Sequence, residues 1–302
     1  MKSTLFVLVM LVFAGAVYAQ GTGPDLMVPY VNSALITIDG QGTDWENPAV
    51  YPVAYVLSTT DAPEYFGLVT GSALSGPEDF SAVLYLGWST DNMLYGYSRV
   101  TDDLLKVGVP TNGACWGEDD LEIMTDPTNT GGLYRTAGSL DANPGQQFGI
   151  RLKQGVPMGP GGNENESRNH IWGYAEAEWT TGAAYFVSQC DYGTGETDVT
   201  FAYEWKLALW DVVGLSPAES QRHDNLASYN SGAAIGLGIA WDDSDVELAT
   251  RDSQIGTMGP DGNAFWNNAD HFNDAYLVAN PLYDVVVAVE ASSWGAVKAS
   301  LK

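Results

Sequence analysis

The stretch Cys115-Trp116-Gly117-Glu118-Asp119-Asp120-Leu121-Glu122-Ile123-Met124-Thr125-Asp126-Pro127 decides how this chain is read. A tryptophan stands in a turn, and a strand with clean alternation follows it. Successive strand side chains point to opposite faces, so Leu121, Ile123 and Thr125 share one side and Glu122, Met124 and Asp126 the other. With Leu121 and Ile123 against a core, Glu122 is expected to face outward, close to Trp116. An aromatic plate beside a carboxylate suits a sugar: the ring covers the apolar face of a pyranose and the acid accepts hydrogen bonds from its hydroxyls. The same residues also read as an ordinary edge strand with Trp116 in the core.

Strand-like runs recur on both sides of this segment, separated by Gly, Pro, Asn and Asp turns. They are Leu35–Ile38, Val53–Leu57, Ala82–Trp88, Met93–Val100, Asp120–Thr125, Gln147–Leu152, Ile171–Ala177, Ala183–Ser188, Val199–Leu207, Ala233–Trp241, Asp274–Val278 and Asp284–Glu290. Ser89-Thr90-Asp91-Asn92 between two runs reads as a hairpin turn. Only Leu207–Gly214 and Pro217–Arg222 look helical, and both are short. No long helical period argues for a βαβ unit. The expectation is an all-β protein, an antiparallel β-sandwich of about a dozen strands with long loops at 58–77 and 155–169.

The start of the chain carries an address. Lys2 precedes an apolar run from Leu5 to Ala16, and Val17-Tyr18-Ala19 places small residues where a signal peptidase reads. Residues 1–19 are therefore read as a secretory signal peptide, too short to span a bilayer. The expected location is extracellular or periplasmic. Residues 20–280 form the sandwich, and 281–302 a last strand and tail.

Acidic residues number 38 against 12 basic, a formal charge of −26. That balance argues against nucleic acid and anionic membrane surfaces as partners, and favours solubility or cation binding. The 34 glycines, 16 tyrosines and 10 tryptophans suit an extracellular β domain whose aromatics meet a ligand. The two cysteines, Cys115 and Cys190, fit one disulfide in an oxidising compartment, with two separate buried thiols as the alternative.

The order of several segments resembles family 9 carbohydrate-binding modules. The resemblance begins at Ile38-Asp39-Gly40 with Trp45 and runs through Leu84–Trp88, Asp91–Tyr95 and Thr101-Asp102. It continues through Trp116–Asp126, Tyr203–Trp210, Ile235–Asp243 and Met258–Trp266. It implies a β-sandwich that binds calcium structurally and grips the end of a glucan or xylan chain between two tryptophans. On that pattern Trp116 and Trp266 are the plates, and Glu122 and Asn263 the hydroxyl ligands. The chain departs from it where Ala240 replaces a glutamine and Gly149 an arginine, leaving Arg151 two residues on as the candidate. The stretch between Gly149 and Ala240 is also longer than the pattern.

Asp39 with Asp44, Asp126, and Asp243 in the run Asp242-Asp243-Ser244-Asp245 lie near turns and are expected to offer the oxygen ligands that calcium prefers; Asx turns are the plainer account of any one of them. No catalytic residue is assigned, because no His-Glu-x-x-His, Gly-x-Ser-x-Gly or phosphate loop is present and the three histidines are scattered in sequence. A haem-carrying relative of the fold would have to use Met93, Met124 or Met258 with His271. The remaining alternative is a surface or matrix protein that self-assembles or meets a cell-surface partner.

Overall fold

The structure is a computed structural model that describes residues 23–108, 112–134, 145–152, 168–172, 175–192, 197–245, 250–257 and 265–282. Among them the strands are, in chain order, β1 (Leu26–Pro29), β2 (Leu57–Ser58), β3 (Gly67–Gly71), β4 (Phe80–Ser89), β5 (Met93–Leu104), β6 (Asp120–Asp126) and β7 (Gln146–Arg151). They continue with β8 (Arg168–Ile171), β9 (Phe186–Tyr192), β10 (Thr197–Ala208), β11 (Trp210–Val212), β12 (Gln221–Arg222), β13 (Ala234–Asp243), β14 (Ser253–Gly256) and β15 (Asn273–Val278). The helix α1 (Asn225–Ser231) lies between β12 and β13.

The strands make an all-β sandwich. One sheet runs β1-β15-β13-β6-β7-β8, with β14 and β3 continuing beside β13; the other runs β2-β4-β5-β10-β9. Pairing is antiparallel except at one edge, where β1 lies parallel to β15. Alternation is clear on β4: Leu84 and Leu86 enter the core between the sheets, while Tyr85 joins Trp45, Tyr51 and Tyr97 on the outer face of the second sheet. Trp241 on β13 ties the layers by donating from Nε1 to Ser98 Oγ on β5, 2.9 Å away. Gly96 on β5 pairs with Trp205 on β10, and a Cβ at Gly96 would sit 2.3 Å from that indole. Only a glycine leaves Trp205 its place.

The hairpin expected at Ser89–Asn92 joins β4 to β5, with Asn92 at φ 60°, a conformation Asn adopts more readily than most residues. Other expectations change. Leu35–Ile38 forms no strand; Thr37 N–H donates to Asp44 instead of to a neighbouring strand. Leu207–Gly214 is not helical, since it completes β10 and forms β11. Pro217–Arg222 holds one 3-10 turn and the short β12. Val53–Leu57 is a 3-10 turn running into β2, and Ile171–Ala177 leaves β8 for another 3-10 turn. The real helix is α1, capped by Asp224, which accepts from Ala227 N–H, and closed by Gly232 in the left-handed region. Residues 1–19, read from the sequence as a signal peptide, residues 155–167 and the run Asp284–Glu290 lie outside the described residues.

The Ile38–Trp45 segment, where the resemblance starts, is a packing device. Glu204 of β10 points out of the second sheet and accepts from Trp45 Nε1 at 2.7 Å and from the N–H groups of Asp39 and Gly40, each at 2.8 Å. Trp45 stacks on Tyr97 at 6.5 Å and 15°. One carboxylate thus holds the loop onto the sheet, with hydrogen bonds of the charge-assisted kind. No helix among the described residues is long and apolar enough to cross a membrane.

Candidate functional site

The site is built on β6, β7 and β13 of the first sheet. Their register sets Asp120 opposite Arg151 and Asp242, Glu122 opposite Gly149 and Ala240, and Met124 opposite Gln147 and Gly238. Leu121, Ile123 and Thr125 are fully buried toward the core, as the alternation requires. The outer side differs from expectation. Glu122 is 2 % exposed, not displayed to solvent. The reason is cover supplied from elsewhere in the chain. Trp172 packs on Gly149, where a Cβ would meet its ring at 2.5 Å, the Cys115 thiol lies beside Asp120, and Arg251 reaches Asp242.

Beneath that cover lie three carboxylates. One oxygen from each of Asp120, Glu122 and Asp242 lies within 4.8 Å of the other two. Gln147 Nε2 donates to Glu122 at 3.0 Å and Arg251 Nη1 to Asp242 at 2.6 Å. Burial, then the repulsion of neighbouring carboxylates, pushes Asp120 and Glu122 well above the ordinary range, and burial raises Asp242 as well. Arg151, expected as a sugar contact, is fully buried and paired through Nε with Glu118, itself fully buried. Its fork points into the protein.

Trp116 stands in the 3-10 turn Asn112–Gly117, immediately before β6, and is 42 % exposed. The Arg251 guanidinium lies over its ring, 5.8 Å from the centroid. Trp266 is 44 % exposed beside the buried Phe265. Its turn is tied to residues just past the far end of β6: Tyr134 donates to Phe265 O at 2.6 Å, and Tyr134 N–H to Asn267 O at 3.0 Å. The two exposed indoles are therefore anchored at opposite ends of one strand. Asn263 and Met258 lie outside the described residues.

The proposed metal ligands separate. Asp39 accepts from Gln41 N–H in an Asx turn, Asp44 from Thr37 N–H, and Asp126 from Gly131 N–H and Thr128 Oγ1. Among these candidates only the residues of the run at 242–245 join clusters. Asp102 ends the long pairing of β5 in the second sheet, while Asp243 and Asp245 leave β13 in the first, and their oxygens gather within 4.8 Å. Asp79, Asp103 and the same Asp245 form an adjoining trio. One oxygen each of Asp102, Asp243 and Asp245 is buried with no hydrogen-bond partner. Burial first and mutual repulsion second push these carboxyls up, to about 7 for Asp102, about 8 for Asp243 and about 6 for Asp245.

Cys115 and Cys190 form no disulfide in the structure. Cys115 belongs to the turn before β6 of the first sheet and Cys190 to β9 at the edge of the second, and both are buried. Met93 and Met124 are buried in different clusters, on opposite sheets. Sequence reading also missed a hydrogen-bonded line. His223 Nδ1 meets Asp211 Oδ1 at 2.6 Å and its Nε2 meets Ser228 Oγ at 2.8 Å. The order resembles a catalytic relay, but Ser228 lies inside α1. The N–H groups of Asn225, Ala227 and Ser228 are taken by Asn92, Asp224 and Asp224. The line fastens α1 to the β11–β12 hairpin.

Neither a family model nor a curated protein matches this chain. Among solved structures it is similar to a family 9 carbohydrate-binding module from Caldicellulosiruptor kristjanssonii in complex with cellotriose. Identity is 16 %, 88 % of this chain and 99 % of that one are covered, and the TM-score is 0.49. The corresponding structure in complex with glucose gives 16 % identity, 85 % and 96 % coverage and a TM-score of 0.47. That is the family the sequence resembles. Likeness at this level assigns no ligand.

Proposed function

We propose that this chain is a secreted, non-catalytic binder of polysaccharide chains or their ends, of the glucan or xylan kind, contacting sugar through Trp116 and Trp266. One observation carries the reading. Among the described tryptophans, Trp45, Trp88, Trp172, Trp205, Trp210 and Trp241 are at most 4 % exposed and Trp179 is half-buried, yet Trp116 and Trp266 present more than two fifths of their surface. Exposing two large indoles costs hydrophobic free energy that a stacked pyranose returns. Their anchoring at the two ends of β6 suits successive sugars along a chain better than one sugar held between them. A strand of this length spans about 20 Å.

Calcium fits the Asp102, Asp243 and Asp245 cluster. The donors are hard oxygens, three of them buried and without hydrogen-bond partners, and they come from both sheets. A cation there would tie the end of β13 to β5 and supply the charge that these carboxylates lack. It serves the fold and not the sugar.

Affinity in the micromolar to sub-millimolar range, roughly −5 to −7 kcal/mol, is expected of such an open site. The test is a fluorescence titration with cello- and xylo-oligosaccharides, repeated on Trp116→Ala and Trp266→Ala. A saturable change in the native chain that is markedly weakened in both variants supports the reading. No response to any sugar would move the assignment to a domain that meets a protein partner.

A further inference from the structure

We infer that Asp120, Glu122 and Asp242 form a second cation site, buried beside Arg251 and suited to one dehydrated divalent ion of the calcium type. The three side chains come from two paired strands, β6 and β13, so backbone register fixes their spacing. All are at most 2 % exposed. No N–H donor reaches either oxygen of Asp120, whose polar neighbours are the Cys115 thiol and the Asp242 and Glu122 carboxyls, and the second oxygen of Asp242 is likewise buried without an N–H partner. An orphaned carboxylate in a dry interior is costly, and two such groups face one another here.

Charge selects the ion. The trio carries three negative charges when ionised, and Arg251 returns one through Asp242. Arg151 cannot help, since Glu118 takes its charge. Two negative charges remain, the charge of a single divalent cation. Carboxylate oxygens alone favour calcium or manganese over softer metals. Complete burial disfavours magnesium, which holds its water tightly. Glu122 then serves as a metal ligand in place of the sugar contact that its sequence position suggests. The inference stands apart from the sugar reading, because it concerns atoms that no sugar reaches.

Manganese is the probe. Crystals of the mature chain, stripped with chelator and soaked in manganese chloride, are measured at the manganese absorption edge. An anomalous peak among Asp120, Glu122 and Asp242 is expected, in addition to any at Asp243. No peak at the trio would overturn the inference, the carboxyls then being held by protons. In solution, Asp120→Asn should retain one equivalent of metal fewer than the native chain, and Asp243→Asn should leave the buried equivalent in place. An unchanged count in a folded Asp120→Asn would also overturn it. Should that variant not fold, the anomalous measurement decides alone.

Discussion

Arg251 and Trp116 are stacked, the guanidinium 5.8 Å from the ring centroid, and the same guanidinium donates to Asp242 at 2.6 Å. One side chain thus links an exposed aromatic to a buried carboxylate. Removing it strands Asp242, which is fully buried at its side chain. Arg251→Ala should cost about 2–3 kcal/mol, less than a wholly buried pair because the arginine keeps some water contact. Urea denaturation measures this, and a loss under 0.5 kcal/mol by the same yardstick would show that Asp242 does not depend on the pair. Tryptophan emission should shift with it, since Trp116 loses a charged neighbour.

Trp116→Ala and Trp266→Ala should each weaken oligosaccharide binding about 10- to 30-fold, the loss of one stacked ring, roughly 1.5–2 kcal/mol. Both indoles are half-exposed, so unfolding temperatures should barely move. Because the two turns are anchored at opposite ends of β6, a disaccharide should feel one substitution more than the other, while longer oligomers feel both. Calorimetry across chain lengths distinguishes these patterns. Equal sensitivity of the disaccharide to both would place the two rings around a single sugar.

Asp243→Asn should reduce the calcium dependence of thermal stability, leaving only the part that the buried trio supplies. In the native chain, chelation should lower the midpoint by several degrees, as expected when a ligand bound only by the folded state is withdrawn. Differential scanning fluorimetry with and without chelator is sufficient. A calcium response of undiminished size in Asp243→Asn and Asp102→Asn alike would remove this cluster as a source.

Glu204 makes stability depend on pH. Burial holds its carboxyl at about 7 even though the N–H groups of Trp45, Asp39 and Gly40 favour the ionised form, and Asp44 nearby adds repulsion. Between the ordinary glutamate value and 7 the folded chain keeps a proton that the unfolded chain has lost. Its contribution is therefore complete at low pH and disappears as pH rises through about 7. With calcium saturating, the midpoint of the native chain should fall from pH 5.5 to 8 more steeply than that of Glu204→Gln. Parallel slopes would show that this carboxyl does not titrate in that window.

Gly96→Ala should destabilise the domain by about 1–3 kcal/mol, because the added methyl overlaps the Trp205 ring inside a packed core. The same change at Gly108, where nothing lies within 4 Å of a built Cβ, meets no neighbour and strains only its positive φ. Chemical denaturation of the two variants separates crowding from backbone strain.

What was legible in the sequence was whatever depended on neighbours along the chain. The β4–β5 hairpin and the alternation of β6 are local, and both are present. The burial of Glu122 was not readable, because its cover comes from Trp172, Cys115 and Arg251, residues that no periodicity connects to β6. Arg251 itself had no signal beyond being one of 12 basic residues. Likewise Asp243 could be noticed near a turn, but Asp102 joins it only once two sheets have packed. The helix α1 had readable ends, Asp224 and Gly232. Its body, Asn225-Leu226-Ala227-Ser228-Tyr229-Asn230-Ser231, is too short and polar to show a period.

The parallel pair of β1 with β15 bears on how the chain is made. Leu26 lies beside Ala275 and Pro29 beside Val278, so among the described residues the first strand waits for the last one. During synthesis some 250 residues separate the two partners, as their numbering shows. Until β15 emerges, β1 lacks its partner in the first sheet and has only the bridge of the adjoining Tyr30 to Trp88 on β4 to hold it.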